Sequence, residues 1–327
     1  MLTAALALLL LQVQDPPRFS EKVDVARVLV DARAIDGAGR PLIGLTTTNF
    51  EVRIDGKPAR VESAQWVTGA LEARGGASGS SAAAPFATTG RLVVLLFQKD
   101  LDRSRITGLM RMLLNLRGFL DGFTAHDRLA VLSFDSRLRL WLDFTSDMER
   151  VREVLARNVL FGGLAPHTEI RGPSLREAFG HKRPERSYTI ESALSLIANA
   201  LQPLPGAKTV VLVGHGFGES GGGPGNTYEE ARDALQRARA SVFCLDVTNA
   251  DYHTLEGGLQ VVAEDTGGTF ERTHLFARGA LSRLASTLAG HYVLIVEKPG
   301  TTRGQHRIEV RLKGREGSVL ARNAYVD

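Results

Sequence analysis

The stretch from Arg91 to Arg105, "RLVVLLFQKDLDRSR", sets chemistry-bearing side chains directly behind an apolar run. Leu92 to Phe97 reads as a buried strand, and a helix is expected to open near Ser104. The turn between them holds Gln98, Lys99, Asp100 and Asp102. Its carboxylates can serve as hard oxygen ligands for a divalent cation. They can equally sit unliganded at the positive end of a helix dipole. Further along, "VLVGHGFG" puts His215 behind a second apolar run. That spacing is similar to the G-x-S-x-G elbow of hydrolases, with imidazole where the nucleophile belongs. Ser133, Ser136 and Ser220 fall near strand ends, and nothing in the sequence groups them with His215 and an acid. "GFGESGGGPGNT" is glycine-rich but lacks the Gly-Lys-Ser/Thr ending of a phosphate loop, so Gly216 to Thr227 reads as a mobile surface loop. Cys244 in "ASVFCLDV" reads as a buried strand thiol without a base partner.

These groups need a scaffold, and the chain's grammar supplies one. From Arg91 onward, strand-like runs alternate with helical ones, which implies βαβ units and a mostly parallel sheet. "LRLWLDF" follows "DRLAVLSF" after a very short turn and is expected to pair with it antiparallel. Ser146-x-x-Glu149 and Thr227-x-x-Glu230 have capping-box spacing at two helix starts. Residues 23–67 and the chain after Gly290 are strand and hairpin sequence instead, with turns such as Asp55-Gly56-Lys57-Pro58. The economical division is a leader over 1–18, β-sandwich strands over 19–68, a Gly/Ser/Ala-rich linker over 69–90, an inserted α/β domain over 91–289, and the closing sandwich strands over 290–327.

Composition bounds the function. The 327 residues are 43% hydrophobic and 23% charged, ordinary for a globular chain. The net charge of +4 is spread out without aromatic interleaving, so nucleic acid is not an expected partner. The opening "MLTAALALLLLQVQDPP" is apolar from Leu2 to Leu11, too short for a transmembrane span and suited to the h-region of an export signal. No later run is apolar enough to cross a membrane. The single cysteine excludes an internal disulfide. "EIRGPSLREAFGHKRPERS", 169–187, is a basic segment suited to an acidic partner, or simply a solvated loop. Trp66 and Trp141 are expected in a domain core or interface.

The middle of the chain resembles a von Willebrand factor A domain. The likeness lies in "DRLAVLSFDSRLRLWLDFTSD", the Thr-led helix "TIESAL", "KTVVLVGHG", "ASVFCLDV" and "VAEDTGGTF". With its opening "DGAGRPLIGLTTTNFEVRIDGKP" and its closing strands, the whole chain after residue 20 resembles the von Willebrand A-related proteins of Acidobacteria. The resemblance implies a doubly wound, Rossmann-like sheet whose first and fourth strands are neighbours, with a ligand crevice at their carboxyl ends. It further implies a magnesium site built from D-x-S-x-S, a threonine and a second aspartate, completed by a carboxylate of the bound protein.

Carried onto this chain, that pattern puts Gln98 at the first Asp, Asp100 and Asp102 at the two Ser positions, Thr189 at the Thr, and His215 at the second Asp. A neutral amide and an imidazole suit magnesium badly. Three readings stand: a degenerate site without metal; a rebuilt zinc or manganese site using Asp100, Asp102, Thr189 and His215; and a register slip in which Asp100 to Ser104 reads as D-x-D-x-S. The expectation is a non-catalytic, exported protein-interaction module with no cofactor. The alternative is an enzyme using His215 with Asp100 or Asp102.

Overall fold

The computed structural model describes residues 26–68, 90–164, 172–180, 184–218, 224–250, 253–300 and 302–327. The expected leader and the core of the linker lie outside them. In chain order the elements are β1 (Arg27–Ile35), β2 (Phe50–Ile54), β3 (Lys57–Ala59), β4 (Val61–Thr68), β5 (Leu92–Gln98), α1 (Arg103–Leu120), β6 (Arg128–Phe134), β7 (Leu138–Thr145), α2 (Met148–Phe161), α3 (Leu175–Phe179), α4 (Ile190–Leu201), β8 (Lys208–Gly214), α5 (Tyr228–Ala238), β9 (Ala240–Asp246), α6 (Glu256–Thr266), β10 (Phe270–Arg272), α7 (Ala277–Thr287), β11 (Gly290–Glu297), β12 (Gln305–Leu312), β13 (Ser318–Ala321) and β14 (Ala324–Val326).

The central sheet has six strands in the order β10-β9-β8-β5-β6-β7. All neighbours run parallel except β7, which pairs antiparallel with β6 as expected. The first and fourth strands of the unit, β5 and β8, are direct neighbours from Leu92↔Lys208 to Phe97↔Val213. The neighbouring strands β5 and β8 carry the apolar runs Leu92–Phe97 and Val210–Val213 because helices cover both faces. In β5, Leu92, Val94 and Leu96 join the core beneath α3, α4, α5 and α6. Val93, Leu95 and Phe97 join the opposite core beneath α1, α2 and α7. Such alternation has the period of two that a strand imposes.

Local starts differ from two expectations. Asp147, not Ser146, caps α2, accepting from the Arg150 amide at 3.1 Å. Thr227 precedes α5 in helical conformation and its hydroxyl makes no cap bond. The basic segment is also more than a solvated run. Its α3 buries Leu175 and Phe179, and the buried Asp143 carboxylate accepts from Ser174 Oγ at 2.7 Å and the Leu175 amide at 2.8 Å. The remainder of that segment lies partly outside the described residues, as does the middle of the Gly216–Thr227 loop. Trp141 is buried and donates to Ser133 Oγ at 2.8 Å, while Trp66 packs edge-on to Tyr292.

The chain ends form two further four-stranded sheets, β13-β1-β11-β4 and β14-β12-β2-β3. They share a core of Val30, Ala32, Phe50, Ile54, Tyr292, Leu294 and Ile308. Thr68 and Gly290 are register partners, so the strands flanking the central sheet lie side by side. β1 is buried on both faces. Its even-numbered residues Val28, Val30, Ala32 and Ala34 face that apolar core. On the other face, Asp31 and Arg33 enter the seam against the α/β layer. Arg239 donates to Asp31 at 2.8 and 2.5 Å, and Arg33 donates to Ser241 Oγ at 3.0 Å while its guanidinium lies over the Phe243 ring.

Candidate functional site at the carboxyl edge of the central sheet

Because β5 and β8 run parallel in register, the turns that follow them converge. Gln98 ends β5, is buried, and closes that junction. Its Oε1 accepts from the amides of His215 and Gly216, each at 3.1 Å, and its Nε2 donates to the Gly216 carbonyl at 2.8 Å. A side chain that both accepts and donates is needed there, which an aspartate cannot provide. Gly214 is required beside it, since a Cβ at that position would stand 2.5 Å from Gln98 Oε1. The residue aligned with a first metal ligand is therefore occupied as a backbone clamp.

Asp100 and His215 are brought together, with His215 Nε2 3.6 Å from Asp100 Oδ2. The same carboxylate accepts from the Asp102 amide at 3.0 Å and pairs with Arg105. The Asp102 amide first, and Arg105 after it, hold the Asp100 carboxyl below its ordinary range. Asp102 turns away to cap α1, accepting from the Ser104 amide at 2.9 Å and the Arg105 amide at 3.3 Å. Thr189 caps α4 and accepts from the Ser192 amide at 3.1 Å. Both hydroxyl and carboxylate do the work of helix starts, accepting from backbone amides that the helix itself leaves free. Of the four residues named from sequence, only Asp100 and His215 meet. With a neutral clamp, two capping side chains and an imidazole, this donor set does not fit magnesium.

His215 is buried, and its Nδ1 has no hydrogen-bond partner among the described residues. Burial first, and Arg105 second, pull its pKa down to about 4. It is a neutral ring at pH 7 and a poor general base. An unfolded histidine takes a proton near pH 6.5, the folded one only near 4, so stability is lost as pH falls through that window. The urea midpoint is expected to drop between pH 7 and pH 4.5 by more in the wild type than in His215→Gln; equal drops would place the ring in solvent. Cys244 is fully buried, which pushes its thiol up and removes it as a nucleophile.

Beside this junction the surface is apolar. Leu101, Met110, Leu114, Phe161 and Leu164 are exposed large side chains. All but Leu164 rim two adjoining grooves between α1 and α2, of ≈ 240 and ≈ 190 Å³, the first of which includes Lys99, Asp100 and Asp135. α1 contributes Arg103, Arg105, Arg111 and Arg117 and no acidic residue. A second polar group went unread in the sequence: Asp246, His253 and Glu256, beyond the end of β9. The signal available was Asp246 itself, a carboxylate at the carboxyl end of a parallel strand, where ligands of doubly wound sheets bind.

Among the described residues no helix is long and apolar enough to cross a membrane. No protein-family model matches the chain, and no curated protein is significantly similar to it. Solved structures are similar to it. One is a von Willebrand factor type A structure from Catenulispora acidiphila, at 11% identity and TM-score 0.42 over 88% of this chain and 75% of that one. Another is the vWF domain of the type V pili tip protein Mfa5 from Porphyromonas gingivalis, at 11% identity and TM-score 0.42 over 66% and 99%. A third is the conserved hypothetical protein BatB from Bacteroides thetaiotaomicron, at 14% identity and TM-score 0.41 over 61% and 98%. The mostly parallel sheet with its first and fourth strands adjacent is the arrangement that the von Willebrand A resemblance implies.

Proposed function

We propose that this chain is a non-catalytic protein-interaction module whose partner docks along the α1–α2 groove at the carboxyl edge of the sheet. The observation that carries the reading is the row of exposed Leu101, Met110, Leu114 and Phe161 beside the β5–β8 junction. A contiguous apolar patch on a soluble surface marks an interaction site. Arg117 and Arg152 line the groove away from the junction, so a partner segment with acidic residues beside its apolar ones suits it.

In this reading the adhesion site is degenerate: binding relies on the groove, and the former cation position is filled by the Gln98 clamp. The two terminal sheets are one β-sandwich, residues 19–68 and 290–327, into which the α/β domain, 91–289, is inserted after a linker. Export rests on the apolar run Leu2 to Leu11, as one expects of a surface or secreted binding protein.

Peptides displayed on phage and selected against the full chain test the docking surface. Enriched peptides are expected to combine apolar and acidic residues. Their affinity should fall about tenfold or more on the double substitution Leu114→Asp with Phe161→Asp. Both side chains are exposed, so the variant keeps its fold. Peptides that bind it as tightly as the wild type place the interaction elsewhere.

A further inference from the structure

We infer that Asp246, His253 and Glu256 form a binding site for zinc or a cation of its class, separate from the Asp100–His215 contact. Asp246 ends β9, Glu256 opens α6, and His253 lies in the turn between them. One ligand atom from each lies within 4.8 Å of the other two. An ion about 2.0–2.2 Å from each is reached by a small inward movement of the side chains.

Charge calls for a cation here. Asp246 and Glu256 are 1% and 3% exposed, and buried carboxylates need compensation. Glu256 has Arg272, in a bidentate pair at 2.9 and 2.7 Å. Among the described residues, the Asp246 carboxylate accepts from the Thr248 amide at 2.9 Å and meets His253 Nε2 at 2.7 Å. The two carboxylates face a single guanidinium, so carboxylate charge is in excess. A divalent ion ligated by Asp246 Oδ2 and by His253 Nε2, with the ring's proton carried on Nδ1, offsets that excess.

The surrounding contacts already orient the ligands as an outer shell does. The Thr248 amide holds Asp246 Oδ1 and leaves Oδ2 directed at His253. Arg272, with Gln260 Nε2 at 3.2 Å, fixes Glu256. A carboxylate offers about four lone-pair positions, so one remains on Glu256 for an ion. Imidazole combined with carboxylates favours zinc over magnesium. Three protein ligands also leave a coordination position open for water or an acidic ligand.

The full chain, stripped with chelator, is titrated with ZnCl2 by calorimetry and with CoCl2 by visible absorption. Expected are a single equivalent of zinc at micromolar affinity or tighter, a cobalt d–d band, and no response to magnesium. His253→Gln and Glu256→Gln should each weaken zinc about tenfold or more, and His126→Gln, at an exposed histidine, should not. Circular dichroism establishes that the variants are folded; should Glu256→Gln lose structure, His253→Gln decides alone. The proposal is overturned if the wild type shows no saturable zinc binding. It is equally overturned if His215→Ala abolishes binding while His253→Gln preserves it, which would move the ion to the Asp100–His215 contact.

Discussion

Replacing Asp31 by asparagine is expected to cost about 3–5 kcal/mol of stability, the penalty for removing one partner of a buried ion pair. Asp31 is 8% exposed and faces Arg239 bidentately, with His291 Nε2 3.6 Å away. Burial alone would raise its pKa. The nearby His291 and the hydrogen-bonded Arg239 outweigh burial and hold the carboxyl well below the usual carboxylate range. The cations around it show the reverse. Burial pulls Arg33 and Arg322 down to about 10 and Lys208 to about 8. Without Asp31 they keep their desolvation and lose their counter-charge. The sign with pH follows: this contribution is complete above about pH 4, where an unfolded aspartate ionises, and is lost as pH falls through the lower folded value. Urea midpoints of Asp31→Asn, Arg239→Gln and the double variant check it. The double variant is expected to be less destabilised than the sum of the singles. A single-variant loss under about 1 kcal/mol would mean that the pair is solvated and that β1 does not seat against the α/β layer.

Gly108→Ala should lower Tm by roughly 5–10 °C, against the ordinary preference of helices for alanine. Glycine inside a helix normally costs up to about 1 kcal/mol relative to alanine. Here the added Cβ would stand 1.7 Å from the Val247 carbonyl oxygen, a contact that forces α1 off the sheet. Overpacking of that kind costs about 1–3 kcal/mol or more, and each kcal/mol shifts a domain of this size by about 2–4 °C. Gly118, on the same helix, has nothing within 4 Å of its Cβ position. Gly118→Ala is therefore expected to leave Tm unchanged or raise it. If both variants behave alike, α1 does not lie against the turn after β9, and the edge that positions Asp100 and His215 is differently built.

The fold was readable because its signals are local and periodic. The apolar run Leu92–Phe97 and its counterpart ending at Gly214 required helices on both faces, and the short turn before Leu138 required a hairpin. The site was only partly readable. Asp100 and His215 meet because strand register dictates it, whereas Asp102 and Thr189 are drawn off by free amides at helix starts that lie within three residues of them. Such local competition leaves no mark in a motif. Gln98 illustrates the same limit. Its identity reads as a weakened ligand, and only the convergence of two backbones shows that an amide is wanted. Asp246, His253 and Glu256 combine residues from a strand end, a turn and a helix start, so no fixed spacing announces them.

The partnership of Thr68 with Gly290 has an architectural consequence. The chain leaves the terminal sheets and comes back at facing points of one ladder. Facing exit and return points let the intervening segment change in length while the flanking strands keep their pairing. The covalent crossing is not the sole tie, since Asp31 with Arg239 and Arg33 with Ser241 hold β1 against the central sheet. Tension on a ligand held at the distal edge would be shared between the β4–β11 ladder and that buried polar seam.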